Sequence, residues 1–412
     1  MGDSSCEESV AGGTMRRIQE RVLGPSKTGI SSSTVDIWLL GVLYKISQDE
    51  SSGEAAAGNG LLAFKQDFSS RILITYRKGF DPIGDSKFTS DVNWGCMLRS
   101  SQMLIAQALI CHKLGRCWRK SVPKPLEQEY LEILQLFGDS EASAFSLHNL
   151  IVAGRTYGLA AGSWIGPYAT CCAWESLARS KKEESNLEHQ SLPMAVYIVS
   201  GCENGERGGA PVVCIEDASR HCLEFSKGQA DWTPILLLVP LVLGLEKVNP
   251  RYIPSLWATF TFPQSLGILG GKPGASTYIV GVQGDNVYYL DPHVVQPVVK
   301  VSKDNLDVDT SSYHCDVIRH ISLESIDPSL AIGFYCRDKD DFDDFCSRAS
   351  KLAKESNGAP LFTVVQHHSS SKPVNYNNIL GGSSRVGEDD SSDAMPVIDA
   401  EGCEHEDDWQ LL

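Results

Sequence analysis

The sequence predicts an α+β body over residues 31–370, flanked by flexible polar termini. Three observations carry this. Apolar residues recur at helical spacing from Met97 to His112, short strand-like runs follow between Pro193 and Leu290, and helical spacing returns from Asp340 to Ser356.

Taken in order, residues 1–30 are rich in Ser, Gly and Glu and are expected to form a disordered extension. Their acidic start lacks the basic and apolar regions of a secretory leader, and Cys6 departs from the myristoylation pattern. Ile37–Tyr44 reads as structured, and the polar insert Gln48–Gly60 after it as a surface loop. In MLRSSQMLIAQALICH, Leu98, Met103, Ile105, Ala106, Leu109 and Ile110 form one broad apolar stripe on a helix. Residues 180–190 form a charged loop, and a small inserted auxiliary subdomain is expected around 185–250. Pro193–Ser200 and Pro234–Gly244 read as strands. The apolar run Ile235–Leu245, broken by Pro240 and Gly244, is too short to span a bilayer and reads as a buried strand pair. Thr277–Gln283 and Asn286–Leu290 form a hairpin through Gly284 and Asp285. Pro360–Val365 is the last strand, and residues 371–412 an acidic disordered tail.

Composition narrows the function. With 36 basic and 52 acidic residues the formal charge is −16, which argues against nucleic acid or an anionic membrane as the main partner. Half of that excess lies in the tail from Lys372 to Leu412. Thirteen cysteines without a leader suggest reduced thiols in a cytoplasmic protein, and adjacent pairs such as Cys171-Cys172 and His367-His368 lack metal-ligand spacing. No metal or other cofactor is expected.

Two positions carry candidate chemistry. Cys96 precedes the apolar helix, where the helix dipole and unpaired N–H groups favour a thiolate. Gly95 before it permits a sharp approach. A buried cysteine opening a core helix would look the same. In Asp291-Pro-His293, two residues apart on an extended segment share a face, so the carboxylate could orient the imidazole of a Cys-His-acid site. An Asp-Pro bend with a surface histidine fits the spacing equally well.

Longer motifs add a resemblance. Thr75-Tyr-Arg-Lys-Gly-Phe, Thr89-Ser-Asp-Val-Asn-Trp-Gly-Cys-Met-Leu-Arg-Ser-Ser-Gln-Met, Gly162-Ser-Trp-Ile-Gly-Pro, Phe262-Pro-Gln-Ser-Leu-Gly-Ile-Leu-Gly-Gly-Lys-Pro-Gly and Tyr288-Tyr-Leu-Asp-Pro-His closely resemble autophagins, with a plant-like flavour. These are papain-like cysteine proteases that process a GABARAP-type ubiquitin-like modifier in autophagy. The resemblance runs from about Thr34 to Phe362. It implies Cys96 as nucleophile, His293 as base, Asp291 as its orienter and Tyr76 as an oxyanion donor. It further implies Trp164 and the loop Lys272, Pro273, Gly274 and Ala275 as a groove for the substrate tail. The implied reaction is cleavage after a C-terminal glycine, together with release of the modifier from phosphatidylethanolamine. Ser100-Ser101 and Tyr168-Ala169 depart from the pattern of many members without touching the triad. Near the C-terminus, Trp409 and Leu412 behind acidic residues resemble a modifier-binding motif that adds as a strand. A non-catalytic adaptor and a deubiquitinase-like thiol protease are the competing readings.

Overall fold

The computed structural model describes residues 26–46, 55–120, 124–184, 190–201 and 209–367. The acidic tail with Trp409 and Leu412, and residues 1–25 of the expected N-terminal extension, lie outside them. The strands are β1 (Lys27–Thr28), β2 (Ile37–Leu39), β3 (Val42–Tyr44), β4 (Tyr76–Lys78), β5 (Ala195–Ile198), β6 (Val212–Cys214) and β7 (Ile235–Val242). They continue as β8 (Ser265–Gly270), β9 (Thr277–Gln283), β10 (Asn286–Leu290), β11 (Val295–Pro297), β12 (Arg319–Ser322), β13 (Ser329–Cys336) and β14 (Thr363–Val365). The helices are α1 (Ala55–Ser70), α2 (Cys96–Lys113), α3 (Gln128–Leu136), α4 (Leu147–Gly154), α5 (Pro167–Glu184), α6 (Ile215–Phe225), α7 (Ile253–Thr259) and α8 (Lys339–Glu355).

A ten-stranded sheet in the order β1-β12-β10-β9-β8-β13-β7-β5, with β2 and β3 branching from β9, organises the chain. Its strands alternate between two apolar cores. Leu236 and Leu238 of β7 face the α2 side, while Ile235, Leu237, Val239 and Leu241 face α8 and α7. The same alternation sends Tyr288 and Leu290 of β10 toward α2, and Val287 and Tyr289 away from it. Both faces are therefore covered by helices.

The helix, hairpin and late helix expected from periodicity form close to their expected bounds. The run from Ile235 is one strand rather than a pair. Val199 N–H donates to Leu238 O and Ala195 N–H to Pro234 O, both at 2.8 Å, so even-numbered residues of β7 turn their backbone groups toward β5. Pro240 shares that parity but lies past the residues that β5 pairs, so its missing N–H breaks no ladder bond. The loop expected over Gln48–Gly60 is also shorter, because α1 begins at Ala55. Phe64, Asp67 and Phe68 bury one face of α1, and Gly60 crosses so near the Lys45 carbonyl that a Cβ would sit 2.1 Å from its oxygen. Likewise α5 runs to Glu184, into the loop expected from residue 180. The 185–250 span supplies β5 and β7 to the large sheet, and α6 and β6 beside it.

Helix α2 crosses the sheet and is buried from Cys96 to Cys111 on every side, including its polar residues. Trp174 Nε1 donates to Ser101 Oγ at 2.8 Å, and Gln102 Nε2 donates to the Phe145 carbonyl at 2.8 Å. Arg99 is fully buried between Asp91 (Nε to Oδ2, 2.8 Å) and Asp139 (Nη1 to Oδ1, 2.8 Å). Replacing Arg99 with Met leaves two carboxylates buried without their cation. Urea unfolding of Arg99→Met should show a loss of about 3–5 kcal/mol.

Candidate active site

Cys96 is the first residue of α2, with Gly95 as its N-cap. Gly95 has φ −83°, an ordinary backbone, so its need is for space rather than freedom. A Cβ there would lie 2.3 Å from Asp91 Oδ2. The left-handed residue of this turn is Asn93, at φ +76°. The turn closes through Gly95 N–H to the Asp91 carbonyl at 2.8 Å, and Asp91 Oδ1 accepts the Arg77 N–H at 2.7 Å. One carboxylate thus ties the approach to Cys96 to the strand that carries Tyr76.

Asp291 and His293 meet through a turn after β10, not along an extended strand. Asp291 Oδ1 accepts both the His293 backbone N–H at 3.1 Å and Nδ1–H at 2.7 Å. The bend and the oriented pair, alternatives in the sequence, coexist here. The imidazole is nearly buried, with 6% of its side chain exposed. Strand β11 then pairs in parallel with β4, setting Val295 opposite Tyr76, and Tyr76 N–H donates to the Pro292 carbonyl at 2.8 Å. The Tyr76 and His293 rings meet edge to face at 5.4 Å.

His293 Nε2 and the Tyr76 hydroxyl are buried without a hydrogen-bonded nitrogen or oxygen among the described residues. The neighbour they share is the Cys96 sulfur. Burial pushes the Cys96 thiol up, but His293, the Ser276 backbone and Tyr76 outweigh it and hold the thiol below its ordinary range. Burial also disfavours the imidazolium, yet Asp291 and Cys96 prevail and push His293 up to about 10. Burial and the Cys96 and Asp91 charges raise Tyr76, which stays a neutral donor. The arrangement is that of a thiolate–imidazolium pair with a phenolic O–H beside it.

The loop Lys272–Ala275 follows β8. Lys272 and Pro273 are exposed, whereas Ala275 is buried and Ser276 touches Cys96 through its backbone. Gly274 takes φ +73° and Gly271 φ +140°, where a Cβ would meet Ser276 Cα at 2.2 Å. Trp164 is half-buried, and its loop reaches the Cys96 turn by contact. Gly162 lies under the Phe88 ring, which packs edge to face on Trp94 at 5.7 Å. Three features escape the sequence reading: the Asp91–Arg99 clamp, Arg319 on β12 with Nε 3.8 Å from Asp291 Oδ2, and an exposed apolar pair. In that pair Val242 is 76% and Leu245 96% exposed, next to Glu246, whose carbonyl accepts from Lys272 Nζ at 3.4 Å. The broken apolar run 235–245 already hinted at an unburied end.

At neutral pH, alkylation followed at the Cys96 peptide should proceed well below the usual thiol value of about 8.5. His293→Ala should move that onset upward, because burial is then opposed only by the Ser276 backbone and Tyr76.

Comparison with known proteins agrees with this chemistry. The peptidase C54 catalytic domain matches residues 61–348. The chain is 68% identical to cysteine protease ATG4 of Medicago truncatula and to cysteine protease ATG4b of Arabidopsis thaliana, in each case over 98% of this chain and 82% of the relative. It is 35% identical to cysteine protease ATG4A of Gallus gallus, over 81% of this chain and 86% of that protein. The chain therefore belongs to the peptidase C54 family, and is a cysteine protease of the ATG4 type with the papain-like fold and a plant character.

Proposed function

We propose that the chain cleaves the C-terminal tail of a GABARAP-type ubiquitin-like modifier after a glycine, with Cys96, His293 and Asp291 as the catalytic triad. The observation that carries this is the Cys96–His293–Asp291 arrangement at the start of α2. The Cys96 thiolate attacks the glycine carbonyl, and the oxyanion takes hydrogen bonds from the Tyr76 hydroxyl and the Cys96 N–H. Imidazolium His293 gives its proton to the departing amine, which leaves the modifier on sulfur as a thioester. His293 then takes a proton from water as it attacks, the thioester C–S bond breaks to restore the thiolate–imidazolium pair, and the released glycine acid gives its proton to solvent. Asp291 keeps the imidazole in the productive tautomer throughout.

The same exchange acts on the amide to phosphatidylethanolamine, so processing and delipidation share one site. A glycine-ended tail suits a narrow groove between Trp164 and the Lys272–Ala275 loop, where a Cβ would collide on the way to the fully buried Cys96. Access to the fully buried sulfur would come by movement of the Lys272–Ala275 loop, which Gly271 precedes and Gly274 lies within. The exposed Val242 and Leu245 offer the modifier's body an apolar contact beside the same loop. Trp409 and Leu412 form a second, tethering site that raises the modifier's effective concentration. The chain acts in the cytoplasm, meeting membrane only through lipidated substrate; no described helix is long and apolar enough to cross one.

The test is cleavage of a C-terminally tagged GABARAP-type modifier by the chain and by its Cys96→Ser variant. The parent alone should cut, after the terminal glycine; binding without cutting by either protein would favour an adaptor, and equal cutting of ubiquitin fusions a deubiquitinase. In that assay Tyr76→Phe should lower kcat by roughly 10²-fold. Leu245→Ser should raise KM by roughly 5- to 10-fold while leaving kcat near the parent's, as loss of a contact away from the reacting atoms does.

A further inference from the structure

We infer that Asp327 is a cation-binding point for the substrate, filled at rest by Lys272 and taken over by a lysine or arginine side chain of the modifier. The inference rests on the substrate proposed above. Asp327 lies just before β13, and its side chain is only 5% exposed. Oδ1 accepts the Ser329 N–H at 2.9 Å, at the start of the strand. Oδ2 is buried with no hydrogen-bonding partner among the described residues. Lys272 Nζ, 3.9 Å from Oδ2, is the cation that faces it. Burial pushes the carboxyl up, and the Ser329 N–H and Lys272 act against that.

This ammonium is a weakly held occupant. Its distance to Oδ2 is longer than a hydrogen bond, and its side chain is 46% exposed. Its other contact is the Glu246 carbonyl, at 3.4 Å. It is also carried by the loop that covers the route to Cys96. Ala275 N–H donates to the Lys272 carbonyl at 3.0 Å, so the two ends of that turn move together. A loop that shifts for a substrate tail therefore takes the cation with it. A carboxylate this far out of water is costly to leave unpaired.

The sheet places Asp327 where the modifier's body would lie. Strand β13 runs between β7 and β8, with Ser329 opposite Val242 and Leu330 opposite Gly270. Leu243 N–H donates to the Pro328 carbonyl at 2.9 Å. The carboxylate thus stands between the strand end that bears the exposed Val242 and the one that leads to Lys272. A body resting on Val242 and Leu245 shields this position from water, and a cation of its own then satisfies the carboxylate. The formal charge of −16 also favours a cationic partner.

Lys272→Met, Asp327→Asn and the double variant would be compared with the parent by two readings. Asparagine keeps an oxygen for the Ser329 N–H, so the start of β13 is retained. The first reading is alkylation of Cys96 without substrate. The second is the Kd of the modifier for each form carrying Cys96→Ser, which needs no turnover. Both single variants should speed alkylation by roughly 2- to 5-fold, since either removal frees the loop. Their affinities should move in opposite directions. Lys272→Met should lower Kd by roughly 2- to 5-fold, because a competitor is gone. Asp327→Asn should raise it by roughly tenfold, because the site is gone. The double variant should match Asp327→Asn, since Lys272 acts through that carboxylate. Replacing the modifier's lysines and arginines singly with glutamine should find one that weakens the parent by about tenfold and leaves Asp327→Asn unmoved.

A Kd that falls in both single variants would mean a loop latch that substrate charge does not replace, and would overturn the inference. So would an unmoved Kd in Asp327→Asn, unchanged alkylation in Lys272→Met, or a scan in which every cation acts equally on both forms. Failure of the proposed function would show differently, as a parent that leaves the tagged modifier uncut whichever way these shifts run.

Discussion

Asp91 and Arg99, a carboxylate and a guanidinium with no exposed side-chain surface, hold the site together. Two charges taken out of water are costly, and the pair is tolerable because nearly every valence is used. Arg99 reaches Asp91 with two nitrogens and Asp139 with a third. Asp91 also receives the Arg77 N–H on its side chain, while its carbonyl receives the N–H groups of Trp94 and Gly95. Arg77 precedes Lys78 on β4 and follows Tyr76, and Gly95 precedes Cys96. One ion pair therefore fixes the spacing between the sulfur and the phenol. Gly95 is part of the same device, since any Cβ would displace the carboxylate.

From that clamp the remaining geometry follows by backbone pairing. Strand β4 aligns with β11, and β11 begins two residues past His293. The distance from Tyr76 to His293 is thereby set by a ladder rather than by two independent loops. The other side of the histidine is set by the β9–β10 hairpin, whose end delivers Asp291. Three segments far apart in sequence converge because each is tied to an element within the sheet or across it. Catalytic precision of this kind needs rigid supports, and here a buried helix and paired strands provide them.

The sequence carried the long periodic elements well, and the structure shows why it carried others less well. Helix α2 announced itself through Leu98, Met103 and Leu109, but that stripe says nothing of the polar positions between them. They are buried, because Asp91, Trp174 and Phe145 supply partners from other parts of the chain. No local pattern encodes such partners. Pro240 split one strand into two on paper, since the effect of a missing N–H depends on whether a neighbour lies beside it, which is a property of the sheet. Asp291 and His293 were legible as a pair, yet their contact arises from a bend in which a side chain bonds its own backbone. Tyr76 shows only strand character in its neighbourhood, and its significance came through resemblance. Arg319 is a single cation 28 residues from its carboxylate, with nothing in the spacing to connect them.

The electrostatics of Cys96 show how burial and activation coexist. A fully buried thiol should resist ionisation, and Cys171 behaves that way, raised by burial and by the neighbouring Cys172. Cys96 is as buried and shifts the other way. The difference is the company each keeps: Cys171 sits within an apolar helix face, whereas Cys96 has an imidazolium, a backbone donor and a phenol directed at it. A low-dielectric site strengthens those attractions as well as the desolvation they oppose. Covering the sulfur therefore intensifies the ion pair so long as the donors stay in place. It follows that the Ser276 backbone, in contact with the buried sulfur, is one of the groups that favour the thiolate.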